Sequence, residues 1–283
     1  MRQERQYTWK DGKRLCLGRK MAVMGILNVT PDSFSDGGKW NDPGKAACHV
    51  RDMIRSGADL IDVGAESSRP GSVPLTGGEE TERLMAFLPT VLSASAVPVS
   101  VDTYHWETAE AAACRGAHII NDIWGFQYDQ GEMAEVVSDA ALPCVLMHHH
   151  EGHVYEGELL DEVKTFLARS VEIALSHGVR EDRIILDPGI GFGKTGEQNL
   201  YLLRRLDALT AAFPYPFLLG ASRKRFIGTI LGGASPEERD LGTAALSFWA
   251  LLKGCSMVRV HNVKATAQVL RMGEALTEEP GAV

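Results

Sequence analysis

The chain has 283 residues, 45% of them apolar and 23% charged, with a net charge of -8. That length suits one large α/β domain or two small ones, and the apolar share is ample for a buried core. The negative balance argues against a non-specific nucleic-acid partner, which needs a basic surface, and no apolar run reaches the ~18 residues of a membrane span. The N-terminus carries no signal-peptide core, and five cysteines at 16, 48, 114, 144 and 255 form no C-x-x-C pair, so a reducing, cytoplasmic compartment is expected.

Residues 7–17 read as two short strands about Asp11-Gly12, a dipeptide suited to a hairpin turn, forming a flap or plug ahead of the first buried strand. The apolar run 21–27 predicts that strand, and it stops abruptly in the polar loop of MGILNVTPDSFSDGG at 24–38. Pro31 and the Gly37-Gly38 pair punctuate this long loop, the kind of place where α/β proteins keep their chemistry. A helix over 43–56 follows, closed by Gly57. The unit then recurs: strands at 59–63, 97–101, 117–120, 143–147, 183–186, 216–219 and 255–260, and helices at 78–92, 106–115, 131–140, about 158–177, 197–212, within 226–252 and at 264–276. Eight strand-helix units with nothing inserted predict an α/β fold of the closed (β/α)8 TIM-barrel class with an N-terminal β-hairpin, as one domain over 1–283 with the barrel at about 21–276. An open doubly wound sheet is the alternative.

Every strand carries, or is soon followed by, a polar group capable of chemistry: Asn28, Glu66 with Arg69, Asp102, Asn121, the histidines 148–150, Asp187, Lys224, and Arg259 with His261. In a barrel these ends converge on one mouth. Asp102, Asn121 and Asp187 offer acceptors and Lys224 donors, a set suited to a flat heterocycle edged with NH and carbonyl groups. Arg69, Arg259 and His261 suit a phosphate, because guanidinium forks bind its oxygens in pairs. Asp122 reads as a helix cap. RIILDPGIGFGKT at 183–195 misses the phosphate-loop pattern at Pro188, so its glycines are read as a sharp bend that presents Asp187 and Phe192. HHHEGH at 148–153 lacks metal-site spacing and reads as an ordinary polar loop.

The motifs GILNVTPDSFSDGG, DVGAESSRPG, SVDT, IND, LDPGIGFGK, SRK and VRVHNV together resemble the dihydropteroate synthases, folate-pathway enzymes targeted by sulfonamides, over about 21–272. The resemblance implies a transferase that joins 7,8-dihydropterin-6-ylmethyl diphosphate to 4-aminobenzoate with Mg²⁺ present, acting as a homodimer on small-molecule substrates. It places Asp102, Asn121, Asp187 and Lys224 at the pterin, with Asp102, Asp187, Lys224 and Arg259 as the catalytic set. Asn28, Arg69, Arg259 and His261 fall at the diphosphate, with Asn28 also at the metal. Phe34, Ser68, Pro70, Phe192 and Ser222 fall around the aminobenzoate. Three departures are local: His149 and His150 follow Met147-His148 where M-H-M-x-G is usual, Ser68 replaces a threonine, and Tyr104 stands where a small residue is common. The nearest alternative is another pterin-binding barrel, such as a methyltetrahydrofolate methyltransferase, which has no need of Arg69, Arg259 or the NVTPDSF loop.

Overall fold

The computed structural model describes residues 4–30, 42–66 and 73–277. Phe34, Ser68, Arg69 and Pro70 lie outside the described residues. Two antiparallel strands, β1 (Arg5–Thr8) and β2 (Arg14–Leu17), come first. The repeating series is β3 (Ala22–Asn28), α1 (Pro43–Arg55), β4 (Leu60–Gly64), α2 (Gly77–Ala94), β5 (Val99–Asp102), α3 (Trp106–Cys114), β6 (Ile119–Asp122) and α4 (Glu132–Asp139). It continues with β7 (Cys144–Met147), α5 (Leu159–Ser176), β8 (Ile184–Asp187), α6 (Gly196–Arg204), α7 (Leu206–Ala212), β9 (Leu218–Leu219), α8 (Arg225–Ile230), α9 (Asp240–Leu252), β10 (Met257–Val260) and α10 (Val263–Thr277).

The eight later strands are all parallel, in the order β8-β7-β6-β5-β4-β3-β10-β9. A parallel bridge between Leu186 and Phe217, with the Leu186 N–H donating to the Pro216 carbonyl at 2.9 Å, brings the two ends of that order together. The result is a nearly closed (β/α)8 barrel, and the open sheet is excluded. Strands covered on both sides read as near-continuous apolar runs, and β4, β7 and β8 are buried at every position. Helix starts are set by local chemistry. Asp42 accepts the Lys45 N–H ahead of Pro43 at α1, while Thr76 with Glu79 and Thr195 with Gln198 form reciprocal capping boxes at α2 and α6.

One difference from the periodic reading is the helix expected over 197–212, which is two. It breaks at Arg205, whose guanidinium sits 3.9 Å over the Tyr201 ring, and the offset lets Leu202, Leu203, Leu206 and Leu209 all reach the core.

The apolar interior has two parts. The larger lies between strands and helices. The smaller fills the barrel with Ala22, Met24, Leu60, Ile119, Val145, Ile185, Leu218 and Met257, and it continues directly into Tyr7, Leu15 and Leu17 of the hairpin. The hairpin is therefore a plug at the N-terminal end of the barrel, and the flap reading is corrected. Its tip is pinned by His118. Nδ1 of this side chain accepts the Val99 N–H at 3.1 Å, which leaves Nε2 to donate to Asp11 at 3.0 Å, with Trp9 edge-on to the ring at 5.2 Å. With that end sealed, ligands reach the barrel from its C-terminal end.

Candidate active site

The strand register decides which polar side chains meet. Asn28 is level with Gly64, Gly64 with Asp102, and Asp102 with Asn121, so four adjacent strands contribute to one tier at the mouth. Gly64 has no side chain to fill its share of that tier. A Cβ there would lie 3.6 Å from Asn28 Oδ1 and 3.5 Å from Asp102 Cβ, so the two neighbours occupy the space instead. One tier deeper, Asp62 of β4 points inward and is fully buried.

Arg259, on β10, organises both tiers. Its Nε donates to Asp62 Oδ2 and its Nη2 to Asp102 Oδ2, each at 2.5 Å. Asn121 Nδ2 donates to the same Asp62 oxygen at 3.2 Å. The other Asp62 oxygen, Oδ1, is buried with no hydrogen-bond partner among the described residues. Asp62 was not singled out in the sequence. The signal available was a carboxylate inside an otherwise apolar strand, LIDVG.

Burial pushes the Asp102 carboxyl up to about 6, against the pull of Arg259. Burial likewise raises Asp187 to about 6, against the Gly189 N–H, Lys224 and Lys194. Both are mostly ionised at neutral pH. Burial works against the charge on Arg259, yet Asp62 and Asp102 outweigh it and hold the guanidinium cationic.

The loop after β8 presents Asp187 and Phe192. Gly189 donates its N–H to Asp187 Oδ1 at 2.7 Å and takes φ +67°, and a Cβ there would lie 1.9 Å from the His148 carbonyl oxygen. At Gly191, φ is +84° and a Cβ would lie 2.7 Å from the Lys224 Cδ. The glycine thus leaves the groove in which the Lys224 stem runs, with its Nζ 3.8 Å from the centre of the Phe192 ring. Gly191→Ala is expected to displace Lys224, lowering kcat/KM at least tenfold and stability by about 1–3 kcal/mol. Urea melts and steady-state kinetics on the variant check this, and wild-type kinetics would refute it.

Lys194 holds the same loop from behind. Its buried Nζ donates to the Gly189 carbonyl at 2.9 Å, the Phe192 carbonyl at 2.8 Å and His148 Nδ1 at 2.8 Å. Burial lowers its pKa to about 7, and lowers that of His148 to about 2, so the histidine is a neutral acceptor. Nothing in the linear pattern of GFGK marks this lysine as the residue that holds the loop. The histidine run also contributes through its ring contacts. Besides His148 on Lys194, His149 stacks on Trp124 at 3.8 Å and lies 5.9 Å from Phe192, which joins it to the aromatic side of the mouth. Asp122 caps the turn after β6 and not a helix, accepting the N–H groups of Trp124 at 2.8 Å and Phe126 at 2.7 Å.

Ser222 and Lys224 flank a strained residue. Arg223 takes φ +56°, held there by Asp240, which accepts from its Nε at 2.7 Å and Nη2 at 3.0 Å. Ser222 Oγ accepts the His261 backbone N–H at 3.1 Å and donates to Nδ1 of the same residue at 2.9 Å, locking the end of β10 to the loop after β9. The structure thus brings Asn28, Asp102, Asn121, Asp187, Phe192, Ser222, Lys224, Arg259 and His261 to one end of the barrel.

A family model described as pterin binding enzyme matches residues 24–261. Dihydropteroate synthase of Bacillus subtilis (strain 168) is 46% identical over 262 residues, 93% of this chain and 90% of that protein. The chain belongs to the dihydropteroate synthase family. Solved structures of this family superpose closely. The Clostridium difficile enzyme in the presence of pteroic acid matches with a TM-score of 0.88 and 40% identity, covering 93% of this chain and 99% of that one. The Xanthomonas albilineans enzyme with 4-aminobenzoic acid gives 0.90 at 36% identity, covering 99% of this chain and all of its own.

Proposed function

We propose that this chain catalyses the dihydropteroate synthase reaction, condensing 7,8-dihydropterin-6-ylmethyl diphosphate with 4-aminobenzoate to give 7,8-dihydropteroate and diphosphate. The observation that carries the reading is the orphaned Asp62 Oδ1 beneath a tier of Asp102 and Asn121. Buried acceptors without donors cost stability, and a pterin edge of ring N–H and amino groups supplies donors. In this reading Asp102, Asn121, Asp187 and Lys224 hold the ring. Asn28, Arg69, Arg259 and His261 hold the diphosphate, and Phe34, Ser68, Pro70, Phe192 and Ser222 surround the aminobenzoate.

An aromatic amine is a weak nucleophile, so departure of the leaving group is the demanding step. The carbon-oxygen bond breaks with its electron pair going to diphosphate, whose charge Arg69, Arg259 and His261 take up. The carbon left behind is cationic, delocalised into the electron-rich ring and stabilised by ionised Asp102 and Asp187. The amine lone pair then forms the carbon-nitrogen bond and the amine loses a proton. Arg259 couples the two halves in this reading, since its guanidinium touches Asp62 and Asp102 and would also take up diphosphate charge.

Mg²⁺ fits this mouth. The Asn28 amide oxygen lies 3.6 Å from the position of the missing Gly64 Cβ, at the rim of the mouth, and a hard oxygen donor of this kind suits an ion that keeps most of its waters and takes phosphate oxygens. Asn28 would hold it, and when bound it would neutralise diphosphate charge. Asn28→Ala is expected to raise the Mg²⁺ concentration for half-maximal rate about tenfold or more. An unchanged Mg²⁺ dependence would remove that assignment.

Two copies are expected to associate through α8–α10. Ile230, Leu231, Leu241, Leu252, Met272 and Leu276 are exposed there, beside a groove of about 380 Å³ lined by Phe248, Val269, Met272 and Leu276. The five cysteines lie in no disulfide, which suits a reducing cytoplasm, and among the described residues no helix is long and apolar enough to cross a membrane.

The deciding experiment is an end-point assay with Mg²⁺, the pterin diphosphate and 4-aminobenzoate, omitting each in turn. Equal yields of dihydropteroate and diphosphate, only with all three present, are expected. Tight pterin binding without coupled products would favour a methyltransferase-like barrel and overturn the reading.

A further inference from the structure

Beside the mouth lies a second cluster that the reaction above does not use. Glu66 follows β4, Glu80 lies in α2 and His105 precedes α3, and one ligand atom from each lies within 4.8 Å of the others. Each residue is held by partners that leave it facing the group. Tyr104 donates its hydroxyl to Glu66 Oε1 at 3.0 Å, and Thr103 donates to Glu80 Oε2 at 2.5 Å. The His105 ring is packed against Tyr104 at 4.2 Å.

His105 is the unusual member. It stands at the N-cap of α3, where a short polar side chain ordinarily accepts a helix N–H, but its side chain makes no capping bond. It is 8% exposed, and its Nε2 makes no hydrogen bond among the described residues although it lies 3.4 Å from Glu66 Oε2. Glu66 Oε2 is likewise buried without a hydrogen bond among the described residues. A buried imidazole nitrogen and a buried carboxylate oxygen thus face one another, with a second carboxylate alongside. Next to them is a cavity of about 10 Å³ lined by Glu66, Glu80, Asp102, Thr103, Tyr104 and Ile123, room for one water-sized or ion-sized sphere.

We infer that Glu66, Glu80 and His105 form a binding site for one divalent transition-metal cation, of the Zn²⁺ type, distinct from any Mg²⁺ that accompanies the diphosphate. One imidazole with two carboxylates is a borderline donor set that suits Zn²⁺ better than Mg²⁺. Bonds of roughly 2 Å would draw the three donor atoms together from their present spread, and hydroxyl donors behind both carboxylates are the outer-shell support such ligands need. A bound cation would tie together the end of β4, the start of α2 and the start of α3, immediately beside Asp102.

The test uses the full chain, stripped with a chelator and without pterin diphosphate, titrated with Co²⁺ as a spectroscopic stand-in and then with Zn²⁺. One Co²⁺ per chain is expected, with ligand-field bands stronger than those of the aquo ion, removed by one equivalent of Zn²⁺ and unaffected by excess Mg²⁺. His105→Lys places an ammonium between the two carboxylates, so it should fold while weakening Zn²⁺ at least 100-fold. Glu80→Gln, which keeps the hydroxyl partner, should do the same, and Asn28→Ala should bind as wild type. Absence of the bands in wild type, or undiminished binding in either folded site variant, overturns the inference. Loss of binding in Asn28→Ala would instead place the metal at the diphosphate, and overturns it equally.

Discussion

Asp62→Asn is expected to lower kcat/KM about 100-fold and stability by about 3 kcal/mol. Asp62 touches no solvent, and its Oδ2 takes both the Arg259 Nε and the Asn121 amide. Breaking one partner of a buried pair leaves the other charge poorly matched, a cost of about 3–5 kcal/mol where both groups are fully buried. The Arg259 side chain is 20% exposed, so the lower end applies. The kinetic loss has a different origin. With Asp62 neutral, Arg259 is held only by Asp102, and small displacements of a positioned group cost on the order of 100-fold. Denaturant titration reads the first effect and steady-state kinetics the second. A variant that loses stability but keeps kcat/KM within twofold would show Asp62 to be structural only.

Asp187→Asn is expected to lower kcat about 1,000-fold and yet make the fold more stable at pH 7. The loss follows if a fixed negative charge stabilises the developing cation, since a neutral amide cannot replace it. The gain follows from burial. The Asp187 carboxyl sits at about 6 in the folded chain, against 3.8 for the ordinary group. Its pKa is raised, so the folded state holds the proton more tightly. Stability therefore falls as pH rises from about 4 to 6, and the penalty is complete above 6. Two units correspond to roughly 2–3 kcal/mol, which an uncharged isostere that still accepts the Gly189 N–H would recover. Urea melts should show wild type and variant converging near pH 4 and diverging by pH 7. A variant less stable than wild type at pH 7 would contradict this. The same shifts at Asp102 and Asp187 predict that wild-type kcat/KM falls as pH drops below about 6, and a profile flat to pH 5 would count against their ionised role.

Much of this was legible because a barrel strand is a short apolar run that ends in its functional residue. Asn28, Asp102, Asn121 and Asp187 are each the last or next-to-last residue of a strand, so the break in apolar pattern marks them. Asp62 was hidden for the opposite reason. It sits two residues before a strand end, and only the inward-facing period of β4, fixed by pairing with β3 and β5, tells that it enters the barrel. Lys194 was hidden because its role is tertiary, joining carbonyls of its own loop to His148, just after β7. The hairpin's alternation showed an apolar face at Tyr7, Leu15 and Leu17 but not which end of the barrel it would close.

That plug also bears on how the chain is made. Tyr7, Leu15 and Leu17 leave the ribosome before any barrel strand, yet they bury against Val145, Ile185, Leu218 and Met257, which emerge far later. Met21 and Glu274, joined by a backbone N–H to carboxylate bond at 2.5 Å, are made 253 residues apart. Until translation passes Met257 the hairpin has no finished floor to seal, and its apolar face is left to solvent or to a chaperone. A nascent chain arrested before β10 would therefore display the apolar face of its hairpin, and the burial of Tyr7 would report that β10 had arrived.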